Sequence, residues 1–207
     1  MIETENNKEN SENKNTFFPL AFRMKYISRW GLMRATEPEN LLEHSAHCAI
    51  LAHALACIGN EVFGENYDAG DIAVKALYHD TSEIYTGDLP TPIKYHNDDI
   101  SASYKSIEHE ALEKLLIKLP DELKGAYEGA LQYDGKTGQK EKNLIKAADK
   151  LCAVIKCMQE CRDGNKEFSQ ALQTTLKSLG QRAENCRELK YFMEKFLPEF
   201  EKSLDEL

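Results

Sequence analysis

Ala73-Val74-Lys75-Ala76-Leu77-Tyr78-His79-Asp80-Thr81-Ser82-Glu83-Ile84 decides how the rest of this chain is read. The stretch belongs to a helical run expected to start near Asp71 and end by Gly87, with a histidine and an aspartate side by side within it. Imidazole and carboxylate both ligate divalent metals, and adjacent positions converge on one ion when a helix end presents them to a cavity. Glu83 follows His79 by four residues and Asp80 by three, so on a helix it projects from the same region. A free carboxylate beside a metal-bound water is what proton movement during hydrolysis requires.

Two further polar residues interrupt apolar helical faces. Asn40 predicts an N-cap, with Glu43 at N3 completing a capping box, and the helix from Leu41 then carries His44 in its first turn. That helix continues through Ile50, Leu51 and Leu55 to an expected stop at Gly59-Asn60. Asp149 lies in the stripe Ile145, Ala148, Asp149, Cys152, Ile155, which otherwise reads as core. A carboxylate in such a stripe must be paired or metal-bound, because an isolated buried charge is prohibitively costly. His44, His79, Asp80 and Asp149 could therefore meet around one ion, supplied by three helices of a bundle. Taken singly, each has a plainer reading: His44 as packing, Asp149 as the partner of Lys146 or Lys150. His47 reads as packed or exposed, His53 as core packing on the opposite face, and His96 and His109 as solvent-facing. Arg29-Trp30 could be an anion clamp with an aromatic platform, or a surface cation beside a partly buried indole.

The 207 residues, 42% of them hydrophobic, suit one domain with a sizeable core. Residues 1–16 are nearly devoid of apolar side chains and are expected to form a disordered tail. From residue 17 to 207 helical patterns succeed one another: about Phe18 to Arg29, the two helices above, a long one through Ile100, Tyr104, Ile107, Ala111, Leu112 and Leu115, then Asp121 to Leu131, Glu141 to Cys161, Lys166 to Leu179 and Ala183 to Glu199. The segment Gly87-Asp88-Leu89-Pro90-Thr91-Pro92 is barred from helix by its prolines, and Asp134-Gly135 with Thr137-Gly138 marks a loop. The fold class is all-α, a single helical bundle. A net charge of -9 argues against a surface for nucleic-acid polymers; an anionic small molecule would need local cations, for which Arg29, Arg34 and Lys94 are candidates. The six cysteines show no CxxC pair and read as reduced thiols. No stretch approaches the apolar length of a membrane span and the N-terminus is too polar for a secretory signal, so the expected location is the cytoplasm, with no membrane partner.

The segments Ile27-Ser28-Arg29-Trp30-Gly31-Leu32-Met33-Arg34, Glu43-His44-Ser45, Ala52-His53-Ala54-Leu55-Ala56, Tyr78-His79-Asp80-Thr81-Ser82-Glu83, Gly87-Asp88-Leu89-Pro90-Thr91-Pro92-Ile93-Lys94-Tyr95 and Lys146-Ala147-Ala148-Asp149-Lys150-Leu151-Cys152-Ala153 together resemble the bacterial 5'-deoxynucleotidase (YfbR-like) branch of the HD-domain phosphohydrolases. The resemblance implies a metal-dependent phosphomonoesterase acting on deoxyribonucleoside 5'-monophosphates, with His44, His79, Asp80 and Asp149 as metal ligands. It further implies Arg29 as the phosphate-orienting residue, Trp30 on the sugar side excluding a 2'-hydroxyl, Glu83 as acid/base group, and Asp88 with Leu89, Pro90 and Thr91 against the nucleoside. A homodimer and one divalent transition-metal ion follow from the same likeness; two histidines and two carboxylates suit Mn, Fe, Co, Ni or Zn. Rival readings are an HD hydrolase of a nucleoside polyphosphate or cyclic nucleotide, and a helical regulatory module that has lost its metal.

Overall fold

The protein, described here by a computed structural model, is resolved into residues 15–94, 96–131 and 138–206. Most of the expected tail and the expected loop residues Asp134, Gly135 and Thr137 lie outside the described residues. Asn15 and Thr16, assigned by sequence to the tail, belong to the fold: the Asn15 N–H donates to the Lys118 carbonyl at 2.8 Å, and Thr16 precedes the first helix.

Among the described residues the helices are α1 (Phe17–Ala21), α2 (Leu41–Phe63), α3 (Ala69–Tyr78), α4 (Glu83–Thr86), α5 (Thr91–Lys94), α6 (Asp98–Leu116), α7 (Asp121–Leu131), α8 (Gln139–Arg162), α9 (Ser169–Ala183) and α10 (Arg187–Lys195). Tighter 3₁₀ turns cover Phe22–Tyr26, Lys166–Phe168, Leu197–Glu201 and Leu204–Glu206. No strand is present among these residues apart from one antiparallel bridge, Ser28 to Asn40. The expected all-α bundle is what forms.

Local chemistry explains most boundaries. Asn40 accepts from the N–H groups of Leu42 and Glu43 while Glu43 reaches back to the Asn40 N–H, the predicted capping box. Three boundaries depart from the sequence reading. The first helix does not reach Arg29: Ile27 turns extended, and residues 27–29 pair with 39–41 through Arg29 N–H to Glu39 O (3.0 Å) and Leu41 N–H to Ile27 O (2.9 Å). Helix α2 does not stop at Gly59-Asn60 but runs on to Phe63, capped by Gly64 at φ +68°. Gly59 serves packing: a Cβ there would sit 2.4 Å from the Tyr67 ring. Thirdly, the run expected over 71–87 is two helices, because the N–H groups of His79, Thr81 and Glu83 bond three residues back, to Ala76, Tyr78 and Asp80, although His79 and Ser82 keep right-handed helical backbone angles. Smaller differences follow proline chemistry. Helix α5 forms a single turn in the expected non-helical segment, with Pro92 in its first turn, where no N–H bond is required. The last expected helix is shortened to α10, and Pro198 opens the following 3₁₀ turn.

The main core lies where α2, α3 and α8 meet: Leu51, Leu55, Ile72, Ala76, Ile145 and Leu151 are buried together, backed by Leu179 of α9 and Leu189 of α10. Burying each such leucine or isoleucine contributes about 1.5–3 kcal/mol. A second cluster of Phe17, Leu115, Leu119 and Leu131 fixes α1, α6 and α7 together. Contrary to the sequence reading, α2 is long and apolar enough, by length and composition, to cross a membrane. It is instead a core helix, buried along the face of Cys48, Leu51 and Leu55, with His47, Ile50 and His53 exposed on the other. The expectation that His53 packs in the core is therefore corrected, while His96 and His109 face solvent as expected.

Candidate metal centre

Four residues from three elements converge at one end of the main core. His44 comes from the first turn of α2, His79 and Asp80 from the turn that ends α3, and Asp149 from the middle of α8. One ligand atom from each lies within 4.8 Å of all the others. His79 Nε2 stands 3.0 Å from Asp80 Oδ2 and 4.0 Å from Asp149 Oδ1; His44 Nε2 stands 3.5 Å and 3.3 Å from the same oxygens. His79 and Asp80 are adjacent in the turn after Tyr78, and their Nε2 and Oδ2 atoms meet at 3.0 Å, so both side chains reach one point.

The donor set fits a divalent cation. His79 Nδ1 contacts the Ala76 carbonyl at 2.7 Å; a carbonyl only accepts, so Nδ1 carries the proton and Nε2 presents its lone pair to the cluster. His44 Nε2 and His79 Nε2 are both buried without a hydrogen-bond partner. Burial disfavours charge on each ring, yet Asp149 and Asp80 hold His44 well above its ordinary pKa, and Asp80 above all raises His79. Burial likewise opposes ionisation of the carboxylates, and the imidazoles outweigh it: His79 and His44 hold Asp80 well below the usual range, and His44 then His79 lower Asp149. Carboxylates that hold a proton on each Nε2 can hold a metal in its place. Asp149 is less enclosed than the apolar stripe implied, 41% exposed at its side chain against 20% for Asp80, so the cluster opens to solvent on that side.

The remaining predicted residues ring this cluster. Arg29 Nη1 lies 3.6 Å from Asp80 Oδ2, which puts a guanidinium at the rim of the centre. Glu83 is buried at the start of α4 with Oε2 unpartnered, outside the four converging atoms. Burial, then Asp80 and Asp88, push its carboxyl up to about 9. Asp88 acts electrostatically on both Glu83 and Arg29, raising the pKa of each. Leu89 and Pro90 are half-buried beside it, while the side chain of Thr91 lies outside the described residues. Of the other candidate cations, Lys94 pairs with Glu108 at 2.7 Å and still acts electrostatically on Glu83 and Asp80, whereas Arg34 is exposed, its backbone N–H tied to Glu167.

Three groups at the site escaped the sequence reading. Glu39 Oε2 accepts from both Trp30 Nε1 (3.0 Å) and Arg29 Nε (3.3 Å). Its only signal in the sequence is an acidic residue just before a helix cap. Glu160, buried in α8, accepts from the N–H groups of Thr36 and Glu37 and so ties down the strand of chain leaving Trp30. Cys48 and Cys152, both buried free thiols, lie one turn along α2 and α8 from His44 and Asp149, and each shifts the other's pKa, Cys48 upward and Cys152 downward.

A family model described as 5'-deoxynucleotidase YfbR-like matches residues 16–200. The chain belongs to the YfbR-like family. It is 48% identical over 191 residues to the 5'-deoxynucleotidase plu3092 of Photorhabdus laumondii, covering 92% of this chain and 95% of that one. It is 46% identical over 194 residues to the 5'-deoxynucleotidase YfbR of Escherichia coli, covering 92% and 94%. Among solved structures, an HD-domain phosphohydrolase (lin2634) from Listeria innocua superposes with a TM-score of 0.77 at 21% identity, covering 89% of this chain and 88% of that one. The cyanophage S-2L HD phosphohydrolase DatZ, bound to dA and one catalytic Zn2+ ion, gives a TM-score of 0.65 at 20% identity, covering 87% and 95%. These likenesses extend the YfbR-like assignment to the HD-domain helical fold.

Proposed function

We propose that this protein is a metal-dependent 5'-deoxynucleotidase, hydrolysing deoxyribonucleoside 5'-monophosphates to deoxynucleoside and phosphate. The observation that carries the reading is the convergence of His44, His79, Asp80 and Asp149 within 4.8 Å, with Arg29 at the rim and an unpartnered Glu83 alongside. His44, His79, Asp80 and Asp149 would hold one divalent ion, which supplies charge neutralisation for the phosphate and acidifies water bound to it. The relatives named above, both 5'-deoxynucleotidases, support the choice of substrate.

This chain's residues then divide the work. Arg29 donates to the non-bridging phosphate oxygens, orienting the phosphate and stabilising charge that builds on it. Asp88, with Leu89, Pro90 and Thr91, holds the nucleoside and supplies orientation. Glu83 is the carboxyl placed to move a proton, from the attacking water or to the departing 5'-oxygen. Trp30, adjacent to Arg29, crowds the sugar 2'-carbon, where an added hydroxyl would clash. The P–O bond to the 5'-oxygen breaks as water's oxygen bonds to phosphorus, leaving a nucleoside hydroxyl and inorganic phosphate.

We further propose a cytoplasmic homodimer, for which Ile100 and Ile107, exposed and seven residues apart on α6, are apolar surface that a second copy could cover. Sedimentation equilibrium of wild type and an Ile100→Ser, Ile107→Ser double variant tests it. The activity is tested by phosphate release from matched deoxyribonucleoside and ribonucleoside 5'-monophosphates, a nucleoside triphosphate and a cyclic nucleotide, with Mn, Co or Zn supplied. Turnover confined to the 5'-monophosphates, with dAMP well ahead of AMP, is expected. Preferential turnover of the triphosphate or cyclic nucleotide would overturn the substrate assignment, and no turnover with any metal would overturn the enzyme.

A further inference from the structure

Arg29 and Trp30 share one hydrogen-bond acceptor. Glu39 Oε2 takes the indole Nε1–H at 3.0 Å and the Arg29 Nε–H at 3.3 Å, and the Glu39 side chain is only 10% exposed. The backbone keeps the three groups together: Arg29 N–H donates to Glu39 O, and Ser28 bridges to Asn40. Trp30 adopts φ +58°, the left-handed region that side chains other than glycine rarely occupy. A residue in that conformation stays there only when its surroundings hold it. Two contacts are in place to do so: Glu39 on the N–H edge of the indole, and the Phe168 ring with its centroid 5.3 Å away. The guanidinium, meanwhile, is fixed between Glu39 on Nε and Asp80 near Nη1, which aims its other N–H groups away from both.

We propose that Glu39 is a specificity-determining positioning residue: its carboxylate locks the Trp30 indole against the sugar and aligns Arg29 for the phosphate. The inference rests on the proposed deoxynucleotidase function and adds to it the residue that makes the sugar discrimination possible. An indole free to swing would leave room for a 2'-hydroxyl, so discrimination by bulk requires an anchor as well as the bulk. Reach and acceptor capacity matter more than charge for the indole. Glu39→Gln keeps an oxygen at the same reach, whereas Glu39→Asp keeps the charge and withdraws it by one methylene.

Trp30 is the only tryptophan, so intrinsic fluorescence reads its surroundings directly. The experiment compares wild type, Glu39→Ala, Glu39→Gln and Glu39→Asp, as metal-loaded full-length protein, for emission maximum and for the dAMP-to-AMP ratio of kcat/KM. Glu39→Ala is expected to shift the emission to the red and lower the ratio about tenfold, the scale of one lost hydrogen bond. Glu39→Gln is expected to keep both near wild type. Should Glu39→Ala fail to fold by circular dichroism, the contrast of Glu39→Asp, which loses the ratio, with Glu39→Gln, which keeps it, decides. An unchanged ratio in both Glu39→Ala and Glu39→Asp overturns the inference, whatever the emission does. Loss in Glu39→Gln with retention in Glu39→Asp also overturns it, because charge and not position would then be the cause. A wild type with no preference for dAMP overturns the proposed function instead, and the emission shift still decides whether Glu39 holds the indole.

Discussion

Replacing Glu160 by Gln perturbs a buried charge that ties the loop after Trp30 to the body of the protein. Glu160 is 2% exposed and its two oxygens accept four times: Oε2 from Thr36 N–H and Asn165 Nδ2, both at 2.7 Å, and Oε1 from Glu37 N–H at 3.2 Å and Lys156 Nζ at 2.6 Å. Lys156 completes the clamp by donating to the Glu37 carbonyl. Burial alone would raise the Glu160 pKa, but Lys156, Thr36, Asn165 and Glu37 together pull it from 4.5 down to about 2. At 1.36 kcal/mol per pH unit this corresponds to about 3 kcal/mol of stability from the ionised form. Because the folded value lies below the unfolded one, the stabilisation is complete above about pH 4.5 and is lost as pH falls toward 2. Glu160→Gln removes the charge and turns an amide donor toward groups that are themselves donors. Urea unfolding followed by circular dichroism should find the variant about 3 kcal/mol less stable from pH 7 to 5. The gap should narrow steadily below pH 4.5. A variant equal to wild type at pH 7, or a gap that stays constant down to pH 3, would refute the reasoning.

Glu83→Ala should retain bound metal and bind nucleotide while turnover falls about 10²–10⁴-fold, the usual contribution of a general acid or base; loss of the ion on elemental analysis would make Glu83 a ligand. Trp30→Ala should narrow the dAMP-to-AMP ratio of kcat/KM by about 10- to 100-fold, chiefly by raising kcat/KM for AMP, as expected when steric exclusion of one hydroxyl is removed. Gly59→Ala should destabilise by about 1–3 kcal/mol although alanine favours helix, because its Cβ would meet the Tyr67 ring at 2.4 Å; a raised melting temperature would show that the ring moves aside freely.

The metal cluster was legible because its residue types and their settings are unusual. A carboxylate at Asp149 inside an apolar stripe demanded a partner, and the His79-Asp80 pair stood one helical turn from the carboxyl of Glu83. The Asn40–Glu43 cap was legible for a related reason, since both of its halves lie within four residues. What sequence periodicity could not carry was tertiary. Nothing local in Tyr78-His79-Asp80-Thr81 announces the tighter hydrogen-bonded turns found there, from which both side chains reach one point. Gly59 resembles a stop signal and is a contact for Tyr67, eight residues further on. His53 sits in an apolar run and still faces solvent, because α2 buries only the side that meets α3 and α8. Glu39 and Glu160 find partners 10 and 124 residues away, a separation at which no helical or turn pattern links them.

The central claim is that four side chains from three separate elements make one metal centre on which hydrolysis depends. Asp149→Ala tests it most directly, since Asp149 is the only one of the four supplied by α8 and lies far from the other ligands in sequence. The measurement is metal content per chain by elemental analysis, with dAMP turnover on the same preparation and circular dichroism as the control for folding. A helical protein that has lost both its stoichiometric ion and its activity is the predicted result. Retention of one ion per chain together with near-normal turnover would contradict the four-residue centre.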